Sequence, residues 1–433
     1  MHMRRTPGRL AAAAIAAAIL SACAGGNPPA PGSADATPQH SAPGAPPVAA
    51  YDPPTAFDLT KGVALPVEAT RGKVTMAGSI AKPLPLTLDG PTAYIAATDS
   101  LQAVDLATGR VKTMITALHQ ALRPSNQLMD GNPAEAPVIA EVAGKRQAMA
   151  AFLTKAAGQG TTADRLVVEL ATVDTATGTG NTLQNLTIDL PAETLTAYPT
   201  SPSATLLAVQ GTTAVIAIDE TQGGAVLAID IAAKTVLWKQ TRFIARAVTG
   251  RQVTGIALKN GAAQRVAGLN LADGGTAWSA EADSYGTEVR PAGPATLVAS
   301  GRDYGNGKQF TRLLDGATGH EVLALGGAGA DCRHDGRSVT VCTDDGSVFA
   351  VDDNAQVLWK LPDEANHRIA PTVTAVWHGL VYGSAGHGPV ILDTRTGADR
   401  PATPGIAPAA VDAYAGLALK NDANILVAYP AAG

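Results

Sequence analysis

The sequence predicts an all-β chain built from repeated four-stranded antiparallel sheets, and three observations carry that reading. One phrase recurs: small apolar residues in alternation, then Asp or Asn, three residues, often Gly, then another short strand. It stands at Ala103-Val104-Asp105-Leu106-Ala107-Thr108-Gly109 and returns at Asp174, Asp230, Asn270, Asp315, Asp352 and Asp393. Successive intervals are 69, 56, 40, 45, 37 and 41 residues. The apolar residues between these points alternate at period two, as half-buried strands do. A period of about 40–45 residues with strand-type alternation is that of propeller blades, not of helical solenoid repeats.

The phrase has a local physical reason. Two strands turn a corner at Asp-x-x-Thr-Gly, where the Asp and Thr side chains bond turn amides and Gly accepts a positive φ at the exit. Three corners are followed by a tryptophan: Trp238, Trp278 and Trp359. A Trp buries far more area than the alanines around it, so these three are assigned to packing between blades rather than to a ligand.

The clearest unit runs over residues 330–360. Asp331-Cys332-Arg333-His334 reads as a first strand, Asp335-Gly336 as a turn and residues 338–343 as the next strand. Asp344-Asp345-Gly346 is a second turn, residues 347–351 the third strand and Val357-Leu358-Trp359 the fourth. Residues 371–397 repeat the pattern through Val376-Trp377, Leu380-Val381-Tyr382 and Val390-Ile391-Leu392-Asp393. These residues resemble the quinoprotein-type (PQQ-like) β-propeller repeat. That repeat occurs in quinone-dependent alcohol dehydrogenases and in BamB-type lipoproteins of outer-membrane barrel assembly. The resemblance covers roughly residues 57–433.

Blade number follows from the ends. Ile425-Leu426-Val427-Ala428-Tyr429 reads as a third strand whose fourth is missing, and residues 57–65 hold a strand that could supply it. Joining the ends removes open edges. Eight blades over these residues gives about 47 residues each, the usual length, against about 54 for the alternative of seven. The expected fold is therefore an eight-bladed propeller closed by pairing of its N- and C-terminal strands.

Two places depart from the repeat. The interval from Asp105 to Asp174 is too long, and Met114, Ile115, Leu118 and Leu122 fall at helical spacing, which predicts a short helix or loop insert near 113–133. Residues 146–154 look helical by their alanines, but the register of the repeat makes them a strand.

The first fifty residues give an address. Arg4, Arg5 and Arg9 form a basic start, and residues 10–20 are an apolar run. That run is too short for a bilayer, where about 20 residues are needed, and suits the core of a signal peptide. Leu20-Ser21-Ala22-Cys23 then resembles the bacterial lipobox, which implies cleavage after residue 22 and diacylation of Cys23. The usual hydrophobic pair after twin arginines is missing, which favours general secretion over twin-arginine export. Residues 24–50 hold seven Pro, one acid, no Lys, no Arg and no aromatic residue. Such a stretch reads as a disordered tether with a reach of roughly 30 Å. The expected organisation is 1–22 signal peptide, 23–50 lipidated Cys and tether, and 51–433 propeller, with the protein on the outer face of the cell membrane. The 20 Arg against 12 Lys suit a GC-rich, actinobacterial genome.

Composition narrows the function. Net charge is −5, and removing the three Arg of the signal segment leaves −8, which argues against nucleic acid as a partner. Three cysteines exclude a disulfide-dense scaffold. With Cys23 lipidated, Cys332 and Cys342 remain as an even pair in an oxidising compartment. Their positions are directly opposite if the hairpin centres on Arg337, so a disulfide is expected. Zinc-protease, redox Cys-x-x-Cys, phosphate-loop and Gly-x-Ser-x-Gly motifs are all missing from the sequence. Gly383-Ser384-Ala385-Gly386-His387-Gly388 reads as a hairpin loop, and His378 with His387 is weak metal evidence. No catalytic residue, metal site or cofactor is assigned. The expected function is a monomeric, non-catalytic scaffold that binds an unidentified envelope protein through loops near 113–133, 155–163 and 181–203, with Met114, Leu118, Leu122 and Met129 as candidate contacts. The alternatives are a quinone- or metal-dependent oxidoreductase and a BamB-like subunit of outer-membrane protein assembly.

Overall fold

The computed structural model of the chain describes residues 49–71, 83–122, 134–187, 202–220, 223–259, 263–326, 329–354, 356–420 and 425–433. Residues 48–433 form one compact unit. The preceding unit, residues 1–47, lies outside the described residues, and with it Cys23 and most of the expected tether.

The described chain is all-β, with no α-helix among the described residues. Its strands run in antiparallel meanders, taken in chain order as sheet 1 (residues 86–116), sheet 2 (120–187), sheet 3 (203–241), sheet 4 (243–279), sheet 5 (284–325), sheet 6 (331–361), sheet 7 (372–393) and sheet 8 (410–430). Sheets 4 and 5 touch through one register pair, Gln264 with Ser284. Sheet 7 has three full strands and a single bridge, Leu392 with Asp399, where a fourth would run. Sheet 8 takes its outermost strand from the other end of the chain: Val63 pairs with Ala428 and Ala64 with Val427.

Burial explains why the strands read as nearly continuous apolar runs. Each sheet is covered on both faces, so the alternation expected of a half-exposed strand fades in its inner strands. In sheet 6, Val339 and Val341 join a core with Val381 and Leu392 of sheet 7. Cys332 and Cys342 point the other way, into a core with Val298 and Leu313 of sheet 5. Comparable cores lie between the other successive sheets, and one joins Leu86 and Ile95 of sheet 1 to Leu417 and Leu426 of sheet 8. In each meander the first-to-second turn and the third-to-fourth corner share one end, here the corner end. The second-to-third turn and the link to the next sheet share the other, the link end.

The short helix or loop insert expected near 113–133 is corrected over its described part, where only residues 117–119 and 122 lie outside strands. Met114 and Ile115 lie in the outer strand Val111–Thr116 of sheet 1, and Gln120–Ala121 begins sheet 2. The helical spacing runs across separate elements: Met114 and Ile115 lie in this outer strand, Leu118 in the link and Leu122 at the start of sheet 2, against the core between sheets 2 and 3. Residues 123–133, including Met129, lie outside the described residues. Residues 146–154 are strand, within Lys145–Ala156, as the register required. Residues 180–187 are also strand rather than loop, while 188–201 lie outside the described residues.

Candidate functional site

The corners fold as local chemistry dictates. Asp105 Oδ1 accepts from the Ala107 and Thr108 amides and from the Thr108 hydroxyl. Asp315 and Asp393 repeat this set, with Thr318 and Thr396 as the hydroxyl donors. Asp174 accepts from the Ala176 and Thr177 amides, Asp230 from the Ala233 amide, and Asp352 from the Asn354 and Gln356 amides. At Asn270 the backbone bond from Gly274 remains, but the capping carboxylate is Asp273, which accepts from the Gly275 amide. Burial pushes the Asp105 carboxyl up, yet Lys112 and the turn donors outweigh it and hold it below the usual range. Similar turns outside the expected corners include those of Asp303 and Asp335. Asp303 caps a second-to-third turn, and Asp335 caps a first-to-second turn through the Arg337, Ser338 and Val339 amides.

The three tryptophans join each corner to the sheet before it. Trp238 Nε1 donates to the Leu271 carbonyl at 2.8 Å, Trp278 to Gly316 at 2.9 Å and Trp359 to Thr394 at 2.7 Å. Each ring lies on the positive-φ glycine of that corner. A Cβ at Gly274 would stand 2.6 Å from Trp238, and one at Gly397 2.6 Å from Trp359. Elsewhere smaller residues fill the place. The Thr113 hydroxyl donates to the Gly178 carbonyl, and Val63 lies against Gly109.

The disulfide joins Cys332 to Cys342, which are register partners with Cα atoms 4.0 Å apart. Both are buried. Asp345 and Gly346 have φ of 44° and 80°, the signature of a tight hairpin turn and not of a calcium loop. His378 and His387 lie at opposite ends of sheet 7, in the turns 377–380 and 385–388. His378 is instead held by Asp52, which also pairs with Arg337 at 3.4 Å, and its ring stacks on Trp377. Among the described residues no group of three or more His, Cys, Asp or Glu could hold a metal ion.

The candidate contact surface gathers at the link end of sheets 1 and 2. Gln120 lies opposite Lys155, so the 117–122 link and the 157–164 turn meet there. Met114 is 51% exposed and Leu118 65%, whereas Leu122 packs against the core between sheets 2 and 3. A cleft of about 550 Å³ opens beside them, lined by Asp99, Thr116, His119 and Leu122 among others. Beneath it Glu169, with no exposed surface, accepts from the Leu118 and His119 amides at 2.6 and 3.0 Å. The same carboxylate meets His119 Nδ1 at 2.8 Å and the Thr154 hydroxyl at 2.7 Å. A buried carboxylate is tolerated when donors surround it this way. Sequence reasoning missed Glu169, although a lone acid inside Leu166-Val167-Val168-Glu169-Leu170-Ala171 was the mark to read.

A second buried acid, Asp412, sits in the first-to-second turn of sheet 8. Its Oδ1 accepts from the Tyr414 and Ala415 amides, and Oδ2 has no hydrogen-bond partner. Burial pushes its carboxyl up to about 6 against those amides, helped by the charges of Asp89 and Asp52.

No family model matches the sequence, and no curated protein matches it. Among solved structures the chain is similar to BamB from Moraxella catarrhalis, with 13% identity, 80% of this chain and 93% of that one covered, and a TM-score of 0.40. It is similar to the Dos1 propeller at 11% identity, covering 88% and 95%, with a TM-score of 0.43. It is also similar to a quinohemoprotein alcohol dehydrogenase from Pseudomonas putida HK5 at 10% identity, covering 88% and 76%, with a TM-score of 0.38.

Proposed function

We propose that residues 51–433 form a closed, eight-bladed β-propeller of the quinoprotein type, held on the outer face of the cell membrane by a diacylated Cys23. It acts there as a non-catalytic scaffold that binds an envelope protein. The core between sheets 8 and 1 supports closure, as does the pairing of Val63 and Ala64 with the last strand. A propeller spends its sheet faces on blade packing, so partners meet its rims.

The observation that carries the binding role is Leu118. Its amide is fixed by the buried Glu169 carboxylate while its side chain stands 65% exposed, and Met114, four residues before it, is exposed as well. A large apolar side chain on a pinned backbone presents contact area at little ordering cost.

A photo-crosslinking side chain at position 120, exposed in the same link, tests this in intact cells. One envelope protein should be captured, and Met114→Ser with Leu118→Ser should abolish capture while leaving thermal unfolding unchanged. Capture of nothing, or capture indifferent to the double substitution, overturns the reading. Purified protein mixed with quinone and calcium tests the competing oxidoreductase class: a new absorbance band with alcohol-dependent dye reduction would replace the scaffold role. A barrel-assembly component as the captured protein would select the BamB-like role. For the anchor, Cys23→Ala should release the protein or leave it unprocessed, because two acyl chains anchor stably and none does. A processed, membrane-bound variant refutes lipidation.

A further inference from the structure

Aromatic residues are scarce in this chain, and those in the described residues are buried or half-buried with two exceptions. Tyr285 is 36% exposed and Tyr304 54%. The two exceptions touch, with ring centroids 6.1 Å apart and planes at 86°. They stand at the link end of sheet 5.

The platform beneath them is tied by hydrogen bonds. The Tyr304 amide donates to the Asp283 carbonyl at 2.9 Å. Asp303 Oδ1 accepts from the Gly305 and Asn306 amides, and Asn306 Oδ1 from the Lys308 amide. Across the sheet Tyr285, Arg302 and Gln309 are register partners in a row, and all three are exposed. Register partners share a sheet face. The row therefore sets an aromatic ring, a guanidinium and an amide side by side, with the second ring edge-on to the first.

Charge at this end is close to balanced: Arg265, Arg302 and Lys308 stand against Glu281, Asp283 and Asp303, Lys259 adds one positive charge on the neighbouring turn of sheet 4, and Arg265 is already paired with Asp283 at 2.7 Å. None of the exposed large aliphatic residues lies on the 303–308 turn, so the surface there is aromatic and polar.

We propose that this end of sheet 5 is a glycan-binding surface for an uncharged polysaccharide. A pyranose ring presents C–H groups that suit the negative face of an aromatic ring. Vicinal hydroxyls match the paired donors of a planar guanidinium and the donor–acceptor pair of an amide. Balanced charge favours a neutral ligand over an acidic one. The inference goes beyond the scaffold role and uses none of the residues near Leu118.

Affinity electrophoresis of the full chain through gels holding a neutral glucan, a mannan, an arabinogalactan or anionic hyaluronate tests it. At least one neutral polysaccharide should retard the protein and hyaluronate should not. Tyr285→Ala and Tyr304→Ala should each weaken retardation at least tenfold, while Tyr285→Phe and Tyr304→Phe keep it because the rings remain. Tyr304→Ala changes a turn residue and leaves the strands intact, so its effect is read even if Tyr285→Ala unfolds. No retardation by any neutral polysaccharide, stronger retardation by hyaluronate, or full retardation of Tyr304→Ala overturns the proposal. So does a protein cross-linked at position 304 in cells when no glycan binds.

Discussion

Trp359 and Gly397 are fitted to each other. The indole N–H of Trp359 bonds the Thr394 carbonyl at 2.7 Å, and its ring covers Gly397 so closely that a Cβ would stand 2.6 Å away. The glycine is needed twice, once for its φ of +66° and once for the ring. The relation joins sheet 6 to the corner of sheet 7, and Trp238 and Trp278 repeat it for sheets 3 to 4 and 4 to 5.

Gly397→Ala should therefore cost more than its backbone conformation alone. Gly346 has a φ of +80° and open space around it, so Gly346→Ala isolates the backbone cost, about 1 kcal/mol. Gly397→Ala adds overpacking, for a total of about 2–4 kcal/mol. Denaturant unfolding of the two variants compares them, and equal losses would remove the role given to Trp359.

The disulfide closes a short loop, with ten residues of separation. Its loss should cost about 2–3 kcal/mol. Thiol titration of unfolded, unreduced protein should find neither Cys332 nor Cys342, and reduction should reveal both. Two thiols before reduction would show that the bond does not form.

Asp412 gives stability a pH slope opposite to that of the corner aspartates. Its carboxyl is raised to about 6 in the fold, by burial first. The folded state thus holds the proton more tightly than the unfolded chain, where an Asp titrates at about 3.9. The contribution is complete below about pH 4 and is lost as pH rises through 6, a change of about 3 kcal/mol. Asp412→Asn keeps the Oδ1 acceptor and should flatten that slope. Melting temperature between pH 4 and 7 checks it, and an unchanged slope in the variant would falsify the assignment.

Glu169 holds the link between sheets 1 and 2. Glu169→Gln turns an amide donor toward one of the present donors and should cost about 1–3 kcal/mol. Glu169→Leu leaves the Leu118 and His119 amides and the His119 ring without their acceptor, while the Thr154 hydroxyl keeps the Val167 carbonyl at 3.2 Å, and should cost more. Hydrogen exchange at the Leu118 and His119 amides should quicken in both variants. Protection equal to that of the unaltered protein would show that another group holds the link.

The sequence by itself determined the elements whose bonds are local. An Asp side chain reaches amides two and three residues on without help from the rest of the chain, so the corners at Asp105, Asp315 and Asp393 are legible from spacing alone. The positions of Cys332 and Cys342 about one hairpin centre are legible for the same reason. Tertiary structure decided the rest. Nothing in Met114 or Ile115 marks where their strand ends, because Leu118 in the link and Leu122 in the next sheet continue their apolar spacing as if all four stood on one helix. Which glycine each tryptophan covers, the four donors on Glu169, the unpartnered oxygen of Asp412 and the meeting of Tyr285 with Tyr304 are settled between segments. Local chain chemistry writes a turn within four residues; a contact between sheets is written by packing, which acts on distance in space and leaves no fixed spacing in the sequence.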